Sequence, residues 1–212
     1  MTQPATLELP PPIREIAREV FGPRFALAVR YAEHLGSVGA ARGVIGPRET
    51  ARLWERHLLN CAVVADLVPA DARLLDVGSG AGLPGIPLAL ARPDLRVTLL
   101  DSMLRRTTYL TEVIREIGLS GVDVVRVRAE SHRARYDVVT ARAVAALPTL
   151  GVWTSHLVGK GGVLLALRGE QADAELGEGE RALAAAGWHE ARVHACGMGL
   201  GQPTRVVRAV RR

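Results

Sequence analysis

The chain has 212 residues, room for one domain, or one domain with an appendage, around a substantial core. Its 48% hydrophobic and 23% charged content is that of a soluble globular protein, and no apolar run is long enough to span a membrane. The N-terminus lacks a charged-then-apolar signal pattern, and Cys61 and Cys196 show neither CxxC nor metal-ligand spacing. A cytoplasmic chain with reduced core cysteines, no membrane partner and no metal is expected. Net charge is +5, carried almost wholly by arginine because Lys160 is the only lysine. A basic surface suits a polyanion such as RNA. The densest run is C-terminal, Arg192, Arg205, Arg208, Arg211 and Arg212, and reads either as a solvated tail or as phosphate contacts.

Residues 1–12 are polar and proline-rich, a loose lead-in. Ile13, Ile16, Ala17 and Val20 then share one helical face, which Phe21-Gly22-Pro23 breaks. A second helix is predicted over 24–35, a glycine-containing connection over 36–46, and a third helix from Pro47 or Arg48 to about Leu67. Residues 1–70 thus read as an α-helical subdomain. Residues 71–212 alternate strand and helix, with strands at 73–77, 96–101, 123–127, 136–140 and 162–167 and helices at 84–91, 103–117, 147–157 and 172–186. Two last strands, 191–195 and 205–210, are joined by a glycine-rich turn at 197–202. The expected fold class is α/β, a Rossmann-like domain with a doubly wound, mostly parallel sheet ending in an antiparallel hairpin. The ligand of such a sheet lies at the C-terminal strand ends. No long apolar surface repeat stands out, so a monomer is expected.

The chain is organised around Leu74-Leu75-Asp76-Val77-Gly78-Ser79-Gly80-Ala81-Gly82-Leu83-Pro84-Gly85. This is strand, glycine turn, helix, and Pro84 suits a first helical turn. Gly78, Gly80 and Gly82 permit positive φ and leave room for a ligand close to the backbone. Gly80-x-Gly82-x-x-Gly85 fits the dinucleotide fingerprint literally. Asp76 points elsewhere: it would repel a pyrophosphate, whereas it can order the loop or face the positive end of a zwitterion. The pattern resembles the first motif of Rossmann-like S-adenosylmethionine-dependent methyltransferases. Asp101 ends the next strand, where a carboxylate can accept from both ribose hydroxyls; it can also cap the following helix with Ser102.

More specific segments accompany that motif. They are Leu53-Trp54-Glu55-Arg56-His57-Leu58-Leu59-Asn60-Cys61, the continuation Gly85-Ile86-Pro87, and Leu99-Leu100-Asp101-Ser102 followed by Arg105-Arg106. With them go Ala129-Glu130, Thr140-Ala141-Arg142-Ala143-Val144 and Ala166-Leu167-Arg168-Gly169. Together they resemble the bacterial small-subunit ribosomal RNA guanine-N7 methyltransferase G family, also called glucose-inhibited division protein B, from about residue 20 to the end. The resemblance implies S-adenosyl-L-methionine as cofactor and 16S ribosomal RNA, or the small ribosomal subunit, as partner. It implies cofactor contacts at Gly78, Leu83, Ala129, Glu130 and Arg142, to which the reading of the turn and the next strand end adds Gly80, Gly82 and Asp101. Two departures stand out: Asn60-Cys61 replaces a frequent Asp-Ser, and Arg168-Gly169 a frequent Lys-Gly. Asn60 cannot act as a base.

The implied reaction needs none, because guanine N7 offers an in-plane lone pair and carries no proton. No catalytic group is therefore assigned, and Arg142, His57 and Arg168 are positioning candidates. His57 either faces the cofactor cleft or packs beneath the sheet; Arg142 meets either the cofactor carboxylate or an RNA phosphate. Trp54, Tyr109 and Trp153 are stacking candidates by chemistry, or core aromatics. Two other functions fit parts of the pattern: a nicotinamide-dependent oxidoreductase, and a non-catalytic RNA-binding module with a relict cofactor fold.

Overall fold

A computed structural model describes residues 9–197, 200 and 202–212. Most of the expected lead-in and three residues of the last turn, 198, 199 and 201, lie outside the described residues. The strands are β1 (Arg73–Val77), β2 (Arg96–Asp101), β3 (Val122–Arg126), β4 (Tyr136–Arg142), β5 (Val158–Arg168), β6 (Trp188–Cys196) and β7 (Thr204–Arg211). The helices are α1 (Pro11–Phe21), α2 (Phe25–His34), the single turn α3 (Asn60–Ala62), α4 (Gly85–Ala91), α5 (Leu104–Ile117), α6 (Leu147–Thr154) and α7 (Ala172–Ala185).

The strands form one sheet in the order β3-β2-β1-β4-β5-β7-β6. β3 to β5 are parallel, and β7 enters antiparallel to both β5 and β6. This is the expected doubly wound sheet with its terminal hairpin. Successive strand residues face opposite sides, so both faces must be covered. Leu74, Val97, Leu99, Val138 and Leu165 join one core with α4, α5 and the N-terminal helices. Leu75, Leu100, Val139 and Leu164 join the other, with Leu147, Leu150, Leu183 and Trp188.

Several boundaries differ from the sequence reading. The third N-terminal helix is a succession of 3₁₀ turn (Pro47–Arg52), π turn (Leu53–Leu59), α3 and 3₁₀ turn (Val63–Leu67). π winding pairs residues about five apart, which brings Leu53 and Leu58, and Trp54 and Leu59, onto one buried face. The connection expected over 36–46 begins as helix, because Leu35–Gly39 continues α2. Gly39 belongs there as a close-packing residue: a Cβ would stand 3.0 Å from the Tyr109 hydroxyl. β5 starts earlier than expected, with an irregularity between the pairs Tyr136–Val158 and Val138–Val163 that absorbs its glycines. Helix α4 starts at Gly85, one residue after Pro84. The C-terminal arginines form no tail. Arg205 and Arg212 pair with Asp173 and Glu190, and Arg211 donates to the carbonyls of Ser155 and Gly187.

The N-terminal helices are fastened to the sheet layer by polar bonds as well as packing. Arg24 Nη1 donates to Ala89 O (2.9 Å) and Arg92 Nη1 to Val68 O (3.0 Å). The fully buried Tyr31 of α2 donates its hydroxyl to Ala81 O, 2.9 Å away in the glycine turn. Burial raises the Tyr31 pKa, so the donor proton stays in place. Tyr31→Phe leaves that carbonyl unpaired and should cost about 1–2 kcal/mol in urea denaturation. Unchanged stability would show that Ala81 O finds another donor.

Candidate functional site

The parallel strands end side by side, with Val77 opposite Leu100 and Ala141. Beyond β1 the chain turns at once: Gly78 and Ser79 donate their N–H groups to Leu100 O (2.8 and 3.1 Å). Gly78, Gly80 and Gly82 have φ of 68°, 56° and 97°, the left-handed region. A Cβ on Gly78 would stand 2.6 Å from Val144 Cγ2, whereas one on Gly80 would meet nothing nearer than Gly78 O at 3.8 Å. Gly80 thus marks the open side of the turn. Asp76 closes the turn from beneath, its Oδ2 accepting from Gly85 N–H at 3.0 Å. The second oxygen, Oδ1, is buried without a hydrogen-bond partner among the described residues.

Asp101 lies against this turn and bonds to backbone just ahead of α5, in keeping with the capping reading of its position. Its Oδ1 accepts from Met103 N–H (2.9 Å) just ahead of α5, and its Oδ2 from Gly80 N–H (3.1 Å) and Arg106 Nη1 (3.3 Å). A carboxylate has about four lone-pair sites, so capacity for ribose hydroxyls is left over. Leu83 and Ala129 are buried, and Ala129 packs with Leu100 and Val144. Glu130 is exposed on the short 3₁₀ turn after β3.

Arg142 ends β4 and is held from the N-terminal segment. Its Nη2 is 2.5 Å from His57 Nδ1 and its Nη1 3.3 Å from Cys61 Sγ. His57 Nε2 is 2.7 Å from Glu49 Oε2. The protons follow from the inventory of donors. A guanidinium only donates, so Nδ1 accepts and Nε2 carries the hydrogen given to Glu49. The neutral imidazole is also what its surroundings favour: burial and then Arg142 lower the His57 pKa, against the pull of Glu49. His57 is therefore a buried support for Arg142, not a group facing the cleft. Ala143, next in the chain, has φ 53°, a strained value for a residue with a Cβ. Glu49 carried no signal in the sequence, since its reach to His57 depends on the 3₁₀ and π winding between them.

On its other side Arg142 lines a cleft of about 1340 Å³ between the N-terminal segment and the ends of β5 and β7. Arg52, Arg56, Asn60, Arg168 and Arg205 share this lining; Gly78, Gly80, Gly82, Leu83, Asp101, Ala129 and Glu130 do not. The expected site residues thus divide into a turn group and a cleft group, and Arg142 of the cleft group is near enough to Asp76, beneath the turn, to lower its pKa. Asn60 contributes its carbonyl to Thr204 Oγ1 (2.8 Å). Trp54 packs between Phe21 and Phe25, and Tyr109 is fully buried, so both are core aromatics; Trp153 is half-buried against the second core. Cys61 and Cys196 are free and buried. Among the described residues no helix is long and apolar enough to cross a membrane, and no group of three or more His, Cys, Asp or Glu converges.

Burial dominates the titration of Asp76, pushing its pKa from 3.8 up to about 7 against the opposing effects of Gly85 N–H, the nearby Ser79 hydroxyl and Arg142. Between those values the folded chain holds this proton more firmly than the unfolded chain. The stability it contributes is complete below about pH 4 and is lost as pH rises through about 7, roughly 4 kcal/mol in all. Asp76→Asn should abolish that slope and exceed the parent in stability at pH 8 by about 1–4 kcal/mol in chemical denaturation. Parallel pH profiles would refute this account of the carboxylate.

The family described as rRNA small subunit methyltransferase G matches residues 24–204. A protein of Streptomyces avermitilis named ribosomal RNA small subunit methyltransferase G is 53% identical over 210 residues, covering 98% of this chain and 87% of the relative. One of the same name from Thermobifida fusca is 58% identical over 172 residues, covering 80% and 73%. Among solved structures, the S-adenosylmethionine-dependent methyltransferase SibL superposes with a TM-score of 0.61 at 20% identity, covering 94% of this chain and 74% of that one. The [4+2]-cyclase SpnF superposes with a TM-score of 0.60 at 15% identity, covering 84% and 93%. These two likenesses show the fold, and their different titles show that the fold alone does not name a reaction. The sequence matches do what the fold cannot: the chain belongs to the rRNA small subunit methyltransferase G family.

Proposed function

We propose that this chain transfers a methyl group from S-adenosyl-L-methionine to guanine N7 in 16S ribosomal RNA of the small subunit. The observation that carries the reading is the placement of Arg142 in an arginine-lined cleft and near enough to Asp76, beneath a glycine turn open at Gly80, to lower its pKa, within a chain of this family. The turn fits the cofactor. Gly80 has space where a Cβ would project, Asp101 retains acceptor capacity, and Asp76 Oδ1 is a buried acceptor without a partner among the described residues. Gly78, Gly82, Leu83, Ala129 and Glu130 complete that assignment, with Ala129 admitting a flat adenine and Glu130 reading its edge.

The cofactor supplies a methyl group on a sulfonium. The protein's part is to hold, orient and exclude water. Guanine N7 has no proton to remove, so no general base is required, and alignment of nitrogen, methyl and sulfur can account for about 7–11 kcal/mol of the barrier. Arg142 fits the role of orienting group, fixed by His57 and Cys61 and lining the cleft. Residues 1–70 act in this reading as a helical subdomain that braces residues 71–212. The protein works as a cytoplasmic monomer. A nicotinamide-dependent reaction is disfavoured by the antiparallel β5-β7-β6 edge, unlike the all-parallel dinucleotide-binding sheet, and by Asp76.

The direct test uses methyl-labelled S-adenosylmethionine and small ribosomal subunits lacking the modification. Label in 7-methylguanosine is expected; label in another nucleoside overturns the acceptor, and bound cofactor without label overturns catalysis. Gly80→Ala should cost about 1–2 kcal/mol of stability for its left-handed φ, yet weaken cofactor binding far more than that strain explains. Full cofactor affinity in that variant would move the cofactor off the turn. His57→Ala should lower kcat about ten- to hundredfold by releasing Arg142. Undiminished turnover would remove the Glu49–His57–Arg142 chain from the mechanism.

A further inference from the structure

The wall of the cleft at the end of β5 holds a guanidinium that the fold leaves short of acceptors. The Arg168 side chain is 9% exposed. Its Nη1 donates to Ala145 O at 2.9 Å. Its Nε lies 3.5 Å from Glu175 Oε2 without making a hydrogen bond, and Nη2 has no partner among the described residues. Guanidinium cannot escape by losing a proton, so burial leaves it with unmade bonds. The two unsatisfied atoms are not scattered over the group. Nε and Nη2 form the lateral edge of the guanidinium, the fork that grips a phosphate or carboxylate with two parallel hydrogen bonds.

The surroundings select an anion on a large molecule. Arg168 lines the cleft that Arg142 enters and also an adjoining cavity of about 680 Å³ at Ala143–Pro148. The cleft presents five arginines, Arg52, Arg56, Arg142, Arg168 and Arg205, against three glutamates, Glu55, Glu170 and Glu175. Glu175, 37% exposed, leans on the fork at a distance too long to satisfy it. We propose that the lateral edge of Arg168 binds a backbone phosphate of the substrate RNA beside the nucleotide presented at Arg142, and that this phosphate displaces Glu175. The proposal rests on the reading of the chain as an RNA methyltransferase. It gives the two arginines separate tasks: Arg142 orients at the reacting end, and Arg168 fixes the register of the strand.

The test compares the parent with Arg168→Gln, Arg168→Lys and Glu175→Gln. Affinity for unmodified small ribosomal subunits is measured from about 50 to 200 mM salt, with the cofactor Kd in parallel. Arg168→Gln should lose about ten- to hundredfold in subunit affinity and about 0.7–0.9 from the slope of log K against log salt. Its cofactor Kd should match the parent's, which also reports that the variant is folded. Arg168→Lys should regain the slope but only part of the affinity, because lysine lacks the fork. Glu175→Gln, which removes the competing carboxylate, should bind subunits about two- to tenfold more tightly, and it tests the site even if Arg168→Gln fails to fold. Unchanged affinity and slope in Arg168→Gln, a loss confined to cofactor binding, or no gain in Glu175→Gln would each overturn the proposal. A parent protein that binds subunits but labels no nucleoside would refute methyl transfer, while the salt slopes would still decide the phosphate site.

Discussion

The site depends on the hydrogen bond from Gly85 N–H to Asp76 Oδ2, which ties the end of β1 to the start of α4. With both ends fixed, the intervening residues must reverse in a tight arc, and left-handed backbone at Gly78, Gly80 and Gly82 is how they do it. The constraint has a cost: a carboxylate is held out of water with one oxygen unpaired among the described residues, and burial raises its pKa to about 7. Packing on both faces of β1 offsets this, since Leu74 and Leu75 are each fully buried in opposite cores. A strained turn on a well-packed strand is a rigid platform, which is what a preorganised binding site requires.

The N-terminal segment is the second support. Tyr31 holds the turn through Ala81 O, and His57 holds Arg142, so one helical layer positions both halves of the site. The choice of partner for Arg142 matters electrically. A carboxylate in direct contact would largely cancel its charge, whereas a neutral imidazole accepts its hydrogen bond and leaves the charge intact. Glu49 lies beyond the ring, where it fixes the tautomer and polarises His57. The cleft therefore meets a cation that is fixed in place but not neutralised.

Regular features were legible in the sequence because short apolar runs between helical segments, a glycine turn and a terminal hairpin follow from local rules. Parallel pairing follows from alternating strand and helix, and the capping bond of Asp101 was readable from its place at a strand end. What escaped were properties of tertiary geometry. Leu53–Leu59 has apolar residues at spacings compatible with an ordinary helix, and only burial of a wider face shows the π winding. That winding decides where His57 points, so its role and that of Glu49 could not be read from 3.6-residue periodicity. The C-terminal arginines look like a basic tail in one dimension, yet Asp173, Glu190 and two carbonyls occupy three of them, Arg205, Arg212 and Arg211. Arg168 is the converse: the sequence marks it as a candidate, but the missing acceptors on its lateral edge exist only in three dimensions.

Methyl transfer to an unprotonated nitrogen moves a positive charge from sulfur to the acceptor ring and leaves proton inventories unchanged. Such a reaction gains little from an acid or base and much from alignment, which accords with the fixed protonation of the two groups that brace the turn and Arg142. Burial and a raised pKa keep Tyr31 protonated, and His57 is held neutral by burial and by Arg142. The product guanine is cationic, as is the cleft that would receive the RNA. Arginines there attract phosphates but repel the methylated ring, so binding energy can be drawn from the backbone of the RNA while the modified base is disfavoured. A fold that separates anchoring from reaction in this way can hold its substrate firmly and still release its product.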